Sequence, residues 1–581
     1  MSEAIESAVQ HRAGKKDWRA RIAGASIPEP AKNLIESVVR RTRLWRSEKA
    51  AVASELIAHF ADAADAGVVP EIAVQRFGDP RQAARLIRRA KIRNRSYLWH
   101  AMRWLKRAVL AIVVFYTGVG IYFYAGRPNP SVDYVAVLNA RLPDADRSQH
   151  AWPIYRAALL SIPAVNDIPE DHPDEPGWAN TRDWLLKHSE LVEQLRVGAA
   201  CPVMGLGYAT EYDAENERLL GPLKAQTAQN GWRGTTALAI PPLNRFRMIA
   251  NILARDADLA AEQRDGLRLQ RNLIAIHQLA EQLCKRDFLV TDLVAIGIRS
   301  VAYRQAAGAL QATPELLDEA FLVAYTHRLS VPQSAADLVT LAGERLLFLE
   351  LLQNVYTDDG NGDGRITPQL EQMFGNLATV NEKGEPIAHP GVGQKTLEML
   401  VAPAAMMVVA SRKDMLEHYD AQLAIIERTL SRPYRESRQE IEAATQKQIE
   451  GLSLKYAFAG IVWPSIARIP ETGERALASR DGVIVAIGLE LYRRSNGRYP
   501  DTLEALSPRY LPTIPADRID GQEVRYELID GKPVIYSVGV DRDDDGGRMP
   551  TRNGEPRNHD AIGWASSTKN IDGDWILYPP Q

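Results

Sequence analysis

The sequence predicts a multidomain, mainly α-helical protein with a single transmembrane helix, an outer helical body and a small C-terminal α+β module. Three observations predict it. Residues Ala108 to Gly126 form an uncharged apolar run of 19 residues. Apolar residues recur at spacings of three and four through most of the remaining chain, the period of helices with one buried face. Only beyond residue 500 does the pattern change to two-residue alternation, on either side of Asp530-Gly531, the signature of a hairpin. The division that follows is a cytoplasmic helical head (1–107), the span (108–126), an extracytoplasmic helical body (127–475) and the α+β module (476–581).

A hydrocarbon core of roughly 30 Å needs about 20 apolar residues at 1.5 Å each, and the run Ala108–Gly126 is just long enough. Before it stand Arg88, Arg89, Lys91, Arg93, Arg95, Arg103, Lys106 and Arg107; after it come Arg127 alone and then Asp133. That asymmetry predicts an N-terminus in the cytoplasm and a C-terminus outside, in a cytoplasmic membrane. The net charge of −3 conceals the same partition: residues 1–107 hold 22 Lys/Arg against 11 Asp/Glu, and the remainder 48 against 62. A basic segment beside a span suits an anionic leaflet, and the membrane, not nucleic acid, is the partner expected for it. More than a hundred residues precede the run, so it is expected to stay as a signal anchor; no lipidation motif accompanies it. Gly451–Ile469 is no second span, because Lys455 and Arg468 bracket only about a dozen apolar residues and Pro464 interrupts them.

In the head, Val52, Leu56, Phe60 and Ile72 mark the buried side of successive helices. Gly67 ends one, Pro70 opens the next, and Gly78-Asp79-Pro80 breaks the chain before a third. The combination Glu55-Leu56-Ile57-Ala58-His59-Phe60, Gly67, Ala73, Phe77-Gly78-Asp79-Pro80 and Ala83 resembles the HAAS or permease-prefix helical domain over residues 45–90. The resemblance implies a small helical module at the cytoplasmic end of a bacterial membrane protein, docking a regulator and catalysing nothing. His59 reads as a packed or capping side chain.

The body predicts helices at Ala151–Leu160 and Thr181–Val197, then a long regular pattern from Leu243. There Leu269, Leu273, Ile276, Ala280 and Leu283 form one stripe, and in Lys413–Leu430 so do Met415, Tyr419, Leu423, Ile426 and Leu430. Such stripes are the material of a helical bundle core. Cys201 and Cys284 leave one disulfide or two buried thiols open. The segment Asp358-Asp359-Gly360-Asn361-Gly362-Asp363-Gly364-Arg365-Ile366 offers oxygens at Asp359, Asn361 and Asp363 before a turning glycine, and resembles an EF-hand-type calcium loop. Position twelve is Leu370 where a bidentate Glu belongs, with Glu371 one residue late. An Asx-rich surface turn is the alternative. Gly391-Val392-Gly393-Gln394-Lys395-Thr396 fails as a phosphate loop, since Gln394 replaces the required Gly.

The last hundred residues predict a helix from Arg480 to Tyr499 with Val483, Ile487 and Leu491 inward, a short helix entered through Tyr499-Pro500, and a hairpin of Glu523–Leu528 with Pro533–Val538. An acidic loop and a final strand at Asp574–Tyr578 follow. The loop, Asp541-Arg542-Asp543-Asp544-Asp545-Gly546-Gly547, sets four carboxylates within five residues, which repel one another unless a cation joins them.

Over residues 480–565 the elements LYRRSNGRYPDTLEAL, Leu511-Pro512, Ile514-Pro515, Asp520-Gly521, Tyr536-Ser537-Val538-Gly539-Val540-Asp541, Asp545-Gly546-Gly547 and Asp560 before Trp564 follow in order. This set resembles the C-terminal globular domain of the major pseudopilins of type II secretion. The resemblance implies one structural Ca2+, held by Asp541, Asp543 and Asp545 with Asp560. The basic leader and cleavable N-terminal helix of that family are absent, so the module is expected to be reused as an interaction domain.

No H-E-x-x-H, G-x-S-x-G or C-x-x-C occurs, and His150, His172, His188, His277, His327, His389 and His418 lack metal-ligand spacing. The expected function is therefore a non-catalytic interaction or scaffold role in the bacterial envelope, with calcium as a structural ion and envelope or secretion proteins as outer partners. A membrane-tethered hydrolase and an accessory subunit of a type II secretion-like apparatus are the alternatives.

Overall fold

A computed structural model describes residues 17–162, 168–208, 219, 243–284, 286, 288–331, 334–358, 360, 364–369, 402–404, 407–450, 454–456, 459, 466–539, 541–549, 551–552, 555–556 and 571–579. It is mainly helical and divides into two compact units, 1–118 and 119–581.

The first unit is built on α1 (Trp18–Ala23), α2 (Glu29–Arg41), α3 (Arg46–Asp65), α4 (Pro70–Phe77) and α5 (Pro80–Arg93). Its breaks lie where the sequence puts them: Pro70 and Pro80 each occupy a first turn, and the Asp79 carboxylate caps Arg81 N at 2.9 Å. Val52, Leu56 and Phe60 join Ile35, Val38 and Trp18 in a core of its own. Ile72 departs from expectation: it is exposed, because α4 is a short helix with no fully buried residue. His59 is also on the surface, its ring against Phe60 and Phe77.

One helix among the described residues, α6 (Tyr97–Tyr124), is long and apolar enough to cross a membrane, and only 6% of its most apolar stretch is buried. It begins eleven residues before the expected span, because Arg103, Lys106 and Arg107 end an apolar run without ending a helix.

The second unit continues with α7 (Tyr134–Asn139), α8 (Trp152–Ser161), α9 (Trp178–Lys187) and α10 (Ser189–Ala199). The single helix expected at Thr181–Val197 is two, broken at His188, whose backbone leaves helical geometry at φ −109°, ψ 28°. Then come α11 (Leu243–Glu262), α12 (Gly266–Leu283), α13 (Leu289–Ala312), α14 (Glu319–Leu329), α15 (Ala342–Val355), α16 (Arg412–Leu430), α17 (Tyr434–Glu450) and α18 (Ile469–Asn496). The two stripes read from the sequence on α12 and α16 are fully buried. Between α10, α11 and α12 Asp256, wholly buried, accepts from Arg196 at 2.7 Å, Asn272 at 2.7 Å and Arg268 at both oxygens, so its charge is compensated. Cys201 and Cys284 form no disulfide and both are half-buried, Cys284 with its thiol on Leu338 O at 3.3 Å.

Helix α18 starts eleven residues earlier than expected and so carries both sides of the 475/476 boundary. It is enclosed on nearly every side between α13 and the C-terminal strands. Gly482 permits that closeness, since a Cβ there would lie 2.5 Å from Leu577 Cβ.

The strands are β1 (Arg525–Ile529), β2 (Lys532–Ser537), β3 (Thr551–Arg552), β4 (Glu555–Pro556), β5 (Ile571–Asp572) and β6 (Trp575–Tyr578). They form two antiparallel sheets, ordered β1-β2-β6 and β4-β3-β5, and the hairpin pairs Arg525 with Tyr536 and Ile529 with Lys532. The final strand expected at Asp574–Tyr578 is β6, fully buried at the inner edge of the first sheet. The segments 391–396 and most of 451–465 lie outside the described residues.

Candidate metal centre

The acidic loop leaves the end of β2, and a buried carboxylate fixes that end. Asp517 accepts from the Ser537 hydroxyl at 2.8 Å, from Val538 N at 3.0 Å and from Arg525 at 3.0 Å. Arg518 beside it bridges Asp481 at 2.7 Å and Glu474 at 3.0 Å on α18, tying the base of the sheet to the helical body. Past Val538 the chain turns at Gly539, whose φ is +66° and whose Cβ position would fall 2.6 Å from Gly573 O; only glycine fits both demands.

The loop Asp541–Met549 then folds over the turn between β5 and β6. Gly573 N donates to Asp541 Oδ2 at 2.6 Å, Gly547 N to Asp574 Oδ2 at 2.8 Å, and Asp574 N to Arg548 O at 2.8 Å. These bonds bring together residues about thirty positions apart. One oxygen each from Asp541, Asp545 and Asp572 lies within 4.8 Å of the others, the one group of three or more such ligands among the described residues. Three buried carboxylate oxygens in this region, Asp541 Oδ1, Asp545 Oδ2 and Asp574 Oδ1, have no hydrogen-bond partner. An unpaired buried carboxylate oxygen is strongly unfavourable, and Asp574 is wholly buried.

The electrostatics report the same crowding. Burial pushes the Asp541 carboxyl up, and the charges of Asp543 and Asp545 add to it against the Gly573 N–H. Asp574 is pushed up to about 6, by burial first and by Asp544 and Asp545 in addition. The Arg548 guanidinium pairs with Asp545 and reaches Asp572 at 3.2 Å, while Arg525 reaches Asp544 at 3.6 Å. An all-oxygen, all-carboxylate donor set with unfilled lone pairs suits a hard divalent cation and no soft metal.

Of the residues expected from sequence, Asp541 and Asp545 meet in this group. Asp543 is exposed on the loop and acts on Asp541 through its charge. Asp560 lies outside the described residues. Asp572 and Asp574 were not anticipated; the signal available was Asp572-Gly573-Asp574 directly before the aromatic strand.

At the EF-hand-like segment, Asp359, Asn361 and Asp363 lie outside the described residues, as do Leu370 and Glu371. Its stem is described. Tyr356 pairs with Ile366, and Thr357 N donates to Arg365 O at 2.8 Å. Asp358 is already engaged by Gly360 N at 2.9 Å and Arg412 at 2.7 Å, which hold its carboxyl below the usual range. The stem also grips the end of α6: Arg365 stacks on the Tyr122 ring at 3.5 Å and donates to Tyr122 O at 2.8 Å.

No family model, no curated protein and no solved structure matches this chain.

Proposed function

We propose that the chain is a single-pass protein of the bacterial cytoplasmic membrane, with its head in the cytoplasm and its body outside, serving as a non-catalytic interaction scaffold. Its C-terminal module, similar to that of the major pseudopilins, would be stapled by one Ca2+. The observation that carries the calcium part is the convergence of Asp541, Asp545 and Asp572, with Asp541 Oδ1 and Asp545 Oδ2 buried and without a hydrogen-bond partner. Asp541 and Asp545 from the loop and Asp572 from the end of β5 would hold the ion, with Asp574 beside them keeping the loop closed through Gly547 N. The ion's contribution is charge: it lets four or five neighbouring carboxylates remain ionised on one short loop and its facing turn.

The exposed length of α6 supports the membrane placement, and the Lys/Arg residues before it, set against Arg127 alone after it, support the outward direction of the body. Outer partners would be envelope or secretion proteins, met through the body and module; the head, similar to a HAAS domain, would dock a cytoplasmic regulator. The test is to purify the full chain in detergent, add a chelator, and titrate calcium back while following binding by calorimetry. One site per chain, lost in Asp541→Asn/Asp545→Asn, is the expected result. Absence of any binding heat and of any change in melting would reject the calcium staple.

A further inference from the structure

The helix that crosses the bilayer is longer than the crossing requires, and the excess lies at its basic end. Its 28 residues extend about 42 Å, against roughly 30 Å of hydrocarbon. The turns before the apolar run, from Tyr97 to Arg107, expose Tyr97, Leu98, Met102 and Trp104 together with Arg103, Lys106 and Arg107. Two of these cations are set against indole faces, Arg103 over Trp99 at 5.3 Å and Arg107 over Trp104 at 5.7 Å. Aromatic bodies with cationic tips suit the headgroup layer, where one end of the side chain is apolar and the other wet.

The head is fastened to these turns. Arg95 lies between the rings of Trp45, at 4.0 Å, and Trp99, at 4.4 Å, while Glu48 of α3 takes its guanidinium in two hydrogen bonds. The Arg95 pairing holds the Glu48 carboxyl below its usual range. Beyond this clamp, the last turns of α5 expose Arg88, Arg89 and Arg93. Residues 80–107 contain ten Lys/Arg and no Asp/Glu. Lys91 is engaged by Glu55 at 2.6 Å and Arg95 by Glu48, which leaves the other cations of this stretch to the solvent side.

We propose that this girdle, Arg88, Arg89 and Arg93 with Arg103, Lys106 and Arg107, is a docking surface for anionic phospholipid headgroups, holding the head against the membrane rather than on a free tether. The occupant is fixed by charge and by place: an unbroken cationic stretch with interleaved aromatics, continuous with the lipid-exposed helix, faces the leaflet's own phosphates. The inference rests on α6 being the span. Each basic residue near an anionic surface contributes about fivefold to binding, so three together contribute roughly a hundredfold.

The full chain, reconstituted into nanodiscs of phosphatidylcholine mixed with phosphatidylglycerol, tests it by mass spectrometry of the lipid it retains on delipidation. Strong enrichment of phosphatidylglycerol is expected, reduced by Arg103→Gln/Lys106→Gln/Arg107→Gln and also by Arg88→Gln/Arg89→Gln/Arg93→Gln. The second variant lies outside the span and leaves the head core around Phe60 and Ile35 untouched. Entry into nanodiscs with no lipid preference, a preference that neither variant changes, or capture of duplex DNA in place of phosphatidylglycerol would overturn the inference alone. Failure to enter nanodiscs of any composition would overturn the spanning reading and this inference with it.

Discussion

The proposed calcium site predicts that chelation changes the stability of the C-terminal module in a way that depends on pH. Without an ion, the folded chain holds a proton on Asp574 up to about pH 6, while the unfolded chain releases it near the ordinary carboxylate value. The folded state therefore binds more protons between those values, so stability is present at low pH and is lost as pH rises through about 6. At about 1.4 kcal/mol per unit the loss is at most about 3 kcal/mol, and Asp541, shifted in the same direction, adds to it. A divalent ion competes with those protons and restores stability where the carboxylates are ionised. At a hundredfold excess over its dissociation constant it contributes about 2.7 kcal/mol. For a cooperative unit of roughly 460 residues that is a rise of about 3 °C in Tm.

The assay is differential scanning calorimetry of the detergent-purified chain in calcium and in EDTA, near pH 5 and near pH 7.5. A clear calcium-dependent rise near pH 7.5 and a much smaller one near pH 5 is expected. In Asp574→Asn the EDTA curve should lose most of its fall between those values, keeping the part that Asp541 contributes. A calcium effect equal at both, or none at the higher pH, would show that the ion does not act on these carboxylates.

Arg548 is the internal cation of the same cluster, so Arg548→Gln should strengthen calcium binding by several-fold and lower stability in EDTA, read by calorimetric titration and melting. Arg365→Ala removes a stacked guanidinium and a hydrogen bond from Tyr122, contributions of about 1–2 kcal/mol together, and hydrogen exchange at residues 120–126 should accelerate about tenfold. Asp256→Ala leaves Arg196 and Arg268 without their buried partner, and denaturant unfolding should show a loss of about 3–5 kcal/mol.

Helix faces were the part of this fold most legible in the sequence. Leu269 through Leu283 and Met415 through Leu430 are buried where their spacing puts them, because a period of 3.6 residues is a local property. Element ends were less so. Helix α6 runs back to Tyr97 through three charges that suit a helix as well as a headgroup layer, and α18 extends back to Ile469 because surrounding elements enclose it. The break at His188 has no proline or glycine to announce it.

The candidate site was half legible. Asp541 and Asp545 announce themselves as a local cluster, whereas Asp572 and Asp574 matter only after β6 pairs with β2 and returns them to the loop. That pairing is a long-range event, and two aspartates around a glycine look like an ordinary turn until it is made.

Protease treatment of intact spheroplasts, with antibodies against the head and against the C-terminal strand, reads the orientation of the chain across the membrane. The Trp575 end is expected to disappear while a fragment containing Trp18 and the span survives, until detergent opens the membrane. Survival of the Trp575 end with loss of the Trp18 end, or loss of both at once, would contradict that orientation.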